Sequence, residues 1–150
     1  MFDKSRYIAI GCDHAGFSLK AYVMDALRRE GYHFQDFGCF SEESVDYPDI
    51  IHPLAQAIND GTYPFGLIFC GSGVGVSMVA NKYPLVRAAL CWDDEQARLS
   101  REHNDANVLS MAGRYLDKDK AVGMSEIFLN TAFEGGRHQR RVEKIPPPGV

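Results

Sequence analysis

Short apolar runs alternate with longer amphipathic stretches along the whole chain, and this alternation constrains the fold more than any other feature. Strands are predicted over residues 7–12, 32–37, 65–70, 86–91 and 108–111, where apolar and β-branched residues concentrate. Helical periodicity follows each run. It predicts helices over 17–30, 48–60, from the 71–75 turn to about 82, 93–102 and 117–130, with a short basic helix over 136–144.

A repeated strand–helix unit favours parallel βαβ pairing, because the helix returns the chain to the end of the sheet where the next strand begins. Right-handed crossovers then cover both faces of the sheet with helices. We predict a single-domain α/β fold over residues 1–150: a doubly wound, Rossmann-like three-layer αβα sandwich with a five-stranded parallel sheet. The core spans about 7–145, and residues 146–150 form a loose Pro-rich tail.

Composition argues against several classes of function. The 150 residues carry a net charge of −4, so a chain-wide basic surface for nucleic acid is absent. No apolar run approaches the roughly 18 residues that a membrane span needs, and we see no signal peptide before the first strand. The four cysteines have neither CxxC nor zinc-site spacing, which favours free thiols in a reducing cytoplasm.

The carboxyl ends of parallel strands form the ligand-binding edge of such a sheet. At this edge, the segment Cys70-Gly71-Ser72-Gly73-Val74-Gly75 follows a strand and opens a helix. Its glycines allow backbone N–H groups to face a ligand. The helix dipole at that point favours a bound anion and the thiolate form of Cys70.

Familiar glycine-loop signatures match this segment poorly. The GxxxxGK spacing of a P-loop fails, because Ser77 stands six residues after Gly71 and no lysine is near. A cysteine-dependent phosphatase needs an arginine six residues after its cysteine, where this chain has Val76. A dinucleotide-binding site needs the pattern GxGxxG, whereas this segment has GxGxG. That alternative stays open because Asp93 and Asp94 follow the next strand, at roughly the distance where such a site has an acidic residue. A further alternative is that the glycines serve only the tight packing of the turn.

Three other polar groups each have a chemical and a structural interpretation. Asp13 and His14 follow the first strand, where an acid and an imidazole suit ligand hydroxyls or an anion. Alternatively, Asp13 is the N-cap of the next helix and His14 is an exposed imidazole. His103 is a candidate general acid or base, or a helix-terminal cation. Arg137 and Arg141, spaced i, i+4, form a phosphate clamp or a solvated basic face. Proton transfer on a phosphorylated small molecule fits the combined set best.

Six motifs resemble the type B ribose-5-phosphate isomerase family, which also includes galactose-6-phosphate and allose-6-phosphate isomerases. They are residues 11–16, 46–48, 70–75, 80–82, 100–109 and 133–138, and the resemblance covers about residues 7–145. The resemblance implies aldose–ketose isomerisation of a sugar phosphate through an enediolate, without metal or cofactor. It also implies a homodimer or a dimer of dimers, with each site built from two subunits.

The resemblance further implies a role for each matching residue. Cys70 is the base that moves a proton between C2 and C1, His103 is the acid that helps open the furanose ring, and Ser72 handles protons on O1 and O2. The amides of residues 71–75 stabilise the enediolate oxygen. The implied binding residues are Asp13, Tyr47 and Asn104 for the sugar, His14, Arg137 and Arg141 for the phosphate, and Arg114 at a further binding position.

The family has two branches that differ in the base. One branch carries a glutamate where this chain has Val76 and lacks the cysteine found here as Cys70, so this chain resembles the cysteine branch. Ser72 replaces a threonine of some members and keeps the hydroxyl. The expected reaction is D-ribose 5-phosphate to D-ribulose 5-phosphate in the pentose phosphate pathway. A hexose 6-phosphate isomerase and a non-catalytic nucleotide-binding module are the alternatives.

Overall fold

A five-stranded parallel sheet forms the centre of the computed structural model, which describes residues 1–150. Its strands are β1 (Tyr7–Cys12), β2 (His33–Asp36), β3 (Gly66–Cys70), β4 (Ala88–Leu90) and β5 (Val108–Ala112). They lie in the order β2-β1-β3-β5-β4, and every neighbouring pair is parallel. The chain reverses its winding direction between β1 and β3, so the carboxyl ends of these two strands open onto a crevice.

The chain has six helices, of which the first five surround the sheet: α1 (Phe17–Arg29), α2 (Tyr47–Asn59), α3 (Val74–Ala80), α4 (Asp94–Asn104), α5 (Lys118–Asn130) and α6 (Gln139–Val142). α5 packs against both α1 and α4, whereas α2 packs against α3. Short 3-10 turns at His14–Gly16 and Gly136–His138 lead into α1 and α6. The predicted α/β three-layer fold is confirmed.

Successive side chains of a strand point to opposite faces of the sheet, so alternate residues pack into different cores. In β3, Leu67 and Phe69 join the core beneath α1 and α5, whereas Ile68 and Cys70 join the core beneath α2 and α3. Both cores are apolar because both faces of a parallel sheet are covered. Cys70 therefore ends β3 on the side of the sheet where α3 begins.

The predicted basic helix over residues 136–144 is a short helical segment. It consists of the 3-10 turn Gly136–His138, which runs directly into a single turn of α-helix, α6. Gly135 and Gly136 have φ angles of +67° and +52°, so the right-handed backbone begins only after these two glycines. β4 is also shorter than predicted. The N–H of Arg87 bonds the side chain of Asn107 at 2.8 Å, so it is not part of the backbone ladder.

The C-terminal residues lie beside the edge strand. They line a groove together with residues between 81 and 89; the C-terminal residues in this groove are Ile145, Pro146, Pro147 and Val150. No helix combines the length and the hydropathy that crossing a membrane requires.

Candidate active site

The predicted site residues form two groups on the surface of the chain. The first group lines a cleft of about 980 Å³ at the carboxyl ends of β1 and β3. It contains Asp13, His14, Tyr47, Cys70, Gly71, Ser72, Val74, Gly75 and Arg114. The second group lines a separate cavity at the end of α4 and contains His103, Asn104, Arg137 and Arg141. The two cavities share no residue.

Cys70 is the last residue of β3 and is 5% exposed. The backbone N–H of Gly73 donates a hydrogen bond of 3.1 Å to its Sγ atom. This contact requires the loop to turn back at Gly73, whose φ is +74°. A Cβ atom at that position would also lie 2.5 Å from the side chain of Leu90. Glycine is therefore necessary for the contact with the sulfur.

Several residues of the loop that line the cleft have unpaired backbone N–H groups. Val74 N–H donates to Ser72 Oγ at 3.2 Å, whereas the N–H groups of Gly71, Ser72 and Gly75 donate no hydrogen bond within the chain. The Ser110 hydroxyl donates to the carbonyl oxygen of Gly73 at 2.6 Å and so holds the loop from β5. These N–H groups can stabilise negative charge on a ligand oxygen.

Two larger side chains flank the loop. The ring of Tyr47, at the start of α2, lies over Gly75 so closely that a Cβ there would be 2.6 Å from the ring. On the other side, Arg114 N–H donates to the Gly71 carbonyl at 3.1 Å, and the Arg114 guanidinium lies against the Gly71 backbone. A phenol and a guanidinium therefore border the same small space as Cys70.

Asp13 and His14 are held by local hydrogen bonds. Asp13 Oδ1 accepts from the N–H groups of Ala15 and Gly16 at 2.9 and 3.1 Å, so the N-cap interpretation describes its local role. These bonds leave Oδ2 able to accept from a ligand. His14 Nδ1 accepts from the N–H of Val45 at 3.2 Å, which leaves Nε2 to carry the proton of the neutral ring.

The second group is built where α4 ends against the segment that follows α5. The ring of His103 stacks on the ring of His138, with centroids 4.3 Å apart and planes tilted by 13°. Arg141 donates from Nη1 to the carbonyl oxygen of Arg137 at 2.7 Å. Both arginines line the cavity with His103, although they belong to different short helical turns.

Asp105 fixes the end of α4 next to His103. It adopts a left-handed conformation with φ at +46°, which is uncommon for a residue other than glycine. Its carboxylate contacts Arg101 at 2.8 Å and Arg87 at 3.2 Å. These ion pairs hold the turn that positions His103 and Asn104.

All four cysteines are buried, and the other three do not line the cleft. Burial raises the pKa of Cys91 to about 11, and it raises the pKa of Cys12 further. The Sγ atoms of Cys12 and Cys39 lie 3.7 Å apart, and both thiols are free. Cys12 and Cys91 are consequently poor nucleophiles at neutral pH.

Sequence reasoning missed four residues that shape the two groups. The backbone N–H of Val45 and the hydroxyl of Ser110 have no local sequence signal, since each acts across the fold. Glu134 and His138 lie within the quoted motif 133–138, so a signal was present, but their contact with His103 depends on the tertiary structure.

Comparison with known proteins gives one consistent result. The family model described as "Ribose/Galactose Isomerase" matches residues 8–145. The chain is 42% identical over 138 residues to a ribose-5-phosphate isomerase B of Escherichia coli K12, covering 92% of this chain and 93% of that protein.

Solved structures agree in fold as well as in sequence. A ribose 5-phosphate isomerase of Thermotoga maritima superposes with a TM-score of 0.92 at 45% identity, covering 94% of this chain and 97% of that chain. A ribose-5-phosphate isomerase B of Mycoplasma genitalium with bound ribulose-5-phosphate gives a TM-score of 0.89 at 36% identity, covering 95% of each chain. With the fold, the glycine loop and these matches together, the chain belongs to the ribose/galactose isomerase family.

Proposed function

We propose that this chain catalyses the interconversion of D-ribose 5-phosphate and D-ribulose 5-phosphate. The observation that carries the proposal is Cys70, placed at the start of a loop whose residues line the same cleft and include unpaired backbone N–H groups. The E. coli relative is a ribose-5-phosphate isomerase B, and the M. genitalium structure holds ribulose-5-phosphate. Enzymes of this name move a hydrogen between two carbons, which requires a base and a means of stabilising an enediolate.

In the proposed reaction, the Cys70 thiolate removes the proton from C2 of the open-chain aldose. The electrons of the broken C–H bond form the C1–C2 double bond, and negative charge develops on the carbonyl oxygen at C1. The N–H groups of Gly71, Ser72 and Gly75 stabilise that charge. The proton then returns to C1, and Ser72 transfers the hydroxyl proton from O2 to O1. The product is the ketose, with no net loss or gain of atoms.

Ring opening comes before this proton transfer, because most of the sugar phosphate is a closed furanose in water. His103 acts as the acid that protonates the ring oxygen as the ring opens. Asn104 is the next residue on the same helix end and binds the sugar together with Asp13 and Tyr47. The Oδ2 atom of Asp13 is the acceptor for a sugar hydroxyl.

The phosphate is bound by cationic and N–H donors. His14 donates from Nε2, since its Nδ1 already accepts from Val45. Arg137 and Arg141 provide forked guanidinium donors from the second cavity, and Arg114 provides a further one beside the loop.

We further propose that the active unit is a homodimer or a dimer of dimers in which each site draws on two subunits. The base and the acid belong to separate cavities of one chain, so a partner that brings its His103 cavity against the Cys70 cleft would complete the site. Exposed apolar side chains support this arrangement. Val74, Met78 and Tyr115 line the Cys70 cleft, and Trp92 contacts Tyr115 with ring centroids 5.9 Å apart.

We place the enzyme in the cytoplasm, because four free cysteines suit a reducing compartment. We also propose that residues 1–150 act as one domain, because one sheet joins all the strands that carry the site.

Proton exchange in D₂O tests the function directly. The chain is expected to exchange the C2 hydrogen of ribose 5-phosphate and to convert it to ribulose 5-phosphate. Parallel assays with allose 6-phosphate and galactose 6-phosphate distinguish the pentose reaction from the hexose alternative, since kcat/KM should be highest for ribose 5-phosphate. Absence of exchange with all three sugars would contradict isomerisation and favour a binding module.

A further inference from the structure

Three side chains with metal-binding atoms meet at the end of α4: His103, Glu134 and His138. Glu134 Oε2 lies 3.9 Å from His103 Nε2 and 3.4 Å from His138 Nε2. One ligand atom from each residue lies within 4.8 Å of the other two. Nothing in the isomerisation mechanism above uses Glu134 or His138.

The backbone holds these three residues in register. His103 lies in the last turn of α4, and the N–H of Glu134 donates to the carbonyl oxygen of Glu102 at 3.0 Å. This bond ties the segment after α5 to the end of α4. The 3-10 turn then begins at Gly136, and His138 N–H donates to the carbonyl oxygen of Gly135 at 3.0 Å. The cluster is therefore positioned by main-chain contacts as well as by its side chains.

We propose that His103, Glu134 and His138 bind a divalent transition-metal ion of the Zn²⁺ class, and that the bound ion inhibits the enzyme reversibly. Two imidazoles and one carboxylate form a common three-ligand set for Zn²⁺, with water in the fourth position. Mg²⁺ and Ca²⁺ are disfavoured, since they prefer oxygen ligands and this cluster offers two nitrogens.

Side-chain movements are needed to close the cluster around an ion. Ligand atoms of a tetrahedral zinc site lie about 3.3 Å apart, as follows from bond lengths near 2.0 Å. The distance of 3.4 Å between Glu134 Oε2 and His138 Nε2 already fits this value. The distance of 3.9 Å between Glu134 Oε2 and His103 Nε2 must shorten. The Glu134 side chain is 52% exposed, so it can turn toward His103. The two rings must also open from their nearly parallel stacking for both lone pairs to point at one ion.

The Arg137 side chain must move before a metal ion can bind to His138. Its Nε atom lies 3.4 Å from His138 Nε2, where it faces the nitrogen that would bind the ion. The guanidinium must withdraw when the ion binds, both to free the lone pair and because the two cations repel. Since Arg137 is assigned to the phosphate, metal and sugar phosphate are expected to compete for this region.

Inhibition follows from the chemistry of His103 and rests on its proposed role in ring opening. A metal bound at Nε2 occupies the lone pair that would otherwise carry the acid proton. The same ion also displaces the Arg137 guanidinium. Chelation of the metal restores both groups, which makes the effect reversible.

Zinc binding is measured first, without reference to activity, by competition with a chromophoric chelator. The full-length wild-type chain should bind one Zn²⁺ per chain. Glu134→Gln and His138→Ala should each weaken that binding at least 10-fold, with their folding checked by circular dichroism and thermal unfolding. His33→Ala, at the start of β2, is the control for loss of an unrelated histidine and should bind as the wild type does. Cys70→Ser should also bind as the wild type does, which excludes the thiolate as the ligand.

Activity is measured next in zinc-buffered solution. Zn²⁺ should inhibit the wild type, and EDTA should restore turnover, whereas Glu134→Gln and His138→Ala should need at least 10-fold more zinc for the same inhibition. Unchanged zinc affinity in both folded variants, or loss of binding in Cys70→Ser, overturns the proposed site. Binding at the three residues without inhibition supports the metal site and contradicts the acid role given to His103.

Discussion

The backbone N–H of Gly73 donates a hydrogen bond to Cys70 Sγ across 3.1 Å, although three residues separate the two along the chain. The bond exists because β3 ends at Cys70 and the chain turns back at once through a residue with positive φ. The bond holds the sulfur beside the glycine loop. Of the four cysteines, Cys70 is the one that lines the cleft.

We expect iodoacetate to modify Cys70 first and to inactivate the enzyme, with protection by a phosphorylated substrate analogue. Cys12 and Cys91 should react slowly, since burial raises the pKa of both thiols. Mass spectrometry of the alkylated protein identifies the site. Cys70→Ser should fold normally and lose C2 exchange by a factor on the order of 10²–10⁴, because a serine hydroxyl is a far weaker base. Near-normal turnover in Cys70→Ser would assign the base to another residue.

His103→Ala should impair turnover of ribose 5-phosphate, which is mostly cyclic, by a factor on the order of 10²–10⁴. Ribulose 5-phosphate cannot close the same five-membered ring through its O5 phosphate ester, so its proton exchange should fall much less. The ratio of the two losses is the measurement. Equal losses for both substrates would leave His103 without a role in ring opening.

Replacement of Arg137 or Arg141 by Ala should mainly weaken binding, since the phosphate lies away from the reacting carbons. The inhibition constant of a phosphorylated analogue should rise by the equivalent of about 1.5–3 kcal/mol, as for a lost charged hydrogen bond. Lysine should rescue only partly, because an ammonium group cannot form a forked contact. Constants that stay at the wild-type value in both Ala variants would remove these residues from the site.

Mixed subunits test the shared site. When Cys70→Ser and His103→Ala chains are co-expressed, each mixed dimer contains one site with both native residues. About a quarter of wild-type activity should therefore return, if subunits pair at random. The matched control is a mixture of Cys70→Ser with His14→Ala, which should show no gain in activity over the two parent variants, because both residues come from the same cleft. Activity in neither mixture would indicate that a single chain forms the whole site.

Lys20→Ala should destabilise the fold without touching the site. The Lys20 side chain is 1% exposed, and its Nζ contacts Asp36 Oδ1 at 2.8 Å and the carbonyl oxygen of Cys39 at 2.7 Å. Removing it leaves a largely buried carboxylate without its partner, which costs about 3–5 kcal/mol. Urea unfolding measures this loss. The double variant Lys20→Met/Asp36→Leu should lose less, since no charge is left unpaired; an equal or greater loss would assign the effect to packing.

Much of the architecture was predictable because the signals are local. The run from 65 to 70 is apolar throughout, which is what a strand buried on both faces requires, and the structure places β3 at the centre of the sheet. The glycine pattern after Cys70 predicted a turn into a helix at the ligand-binding edge. The family and its reaction class could also be predicted, because short contiguous motifs carry them.

Helix ends and pairings were less predictable, since they depend on contacts between distant segments. The basic segment 136–144 has a helical composition, yet it starts as a 3-10 turn and only Gln139–Val142 form α-helix. Likewise, β4 is limited to Ala88–Leu90 because Arg87 bonds the side chain of Asn107, about 20 residues away. The composition of each segment does not define these limits.

By itself, the sequence determined the α/β class, the glycine loop after Cys70 and the family, because periodicity and contiguous motifs are properties of the chain. Only the tertiary structure decided that His103 and Cys70 belong to separate cavities, and that Glu134 and His138 meet His103. The physical reason is that each of these relationships depends on how helices and loops pack onto the sheet. Packing brings together residues far apart in the chain, such as His103 and His138, which are 35 positions apart and whose spacing in the sequence carries no periodic signal.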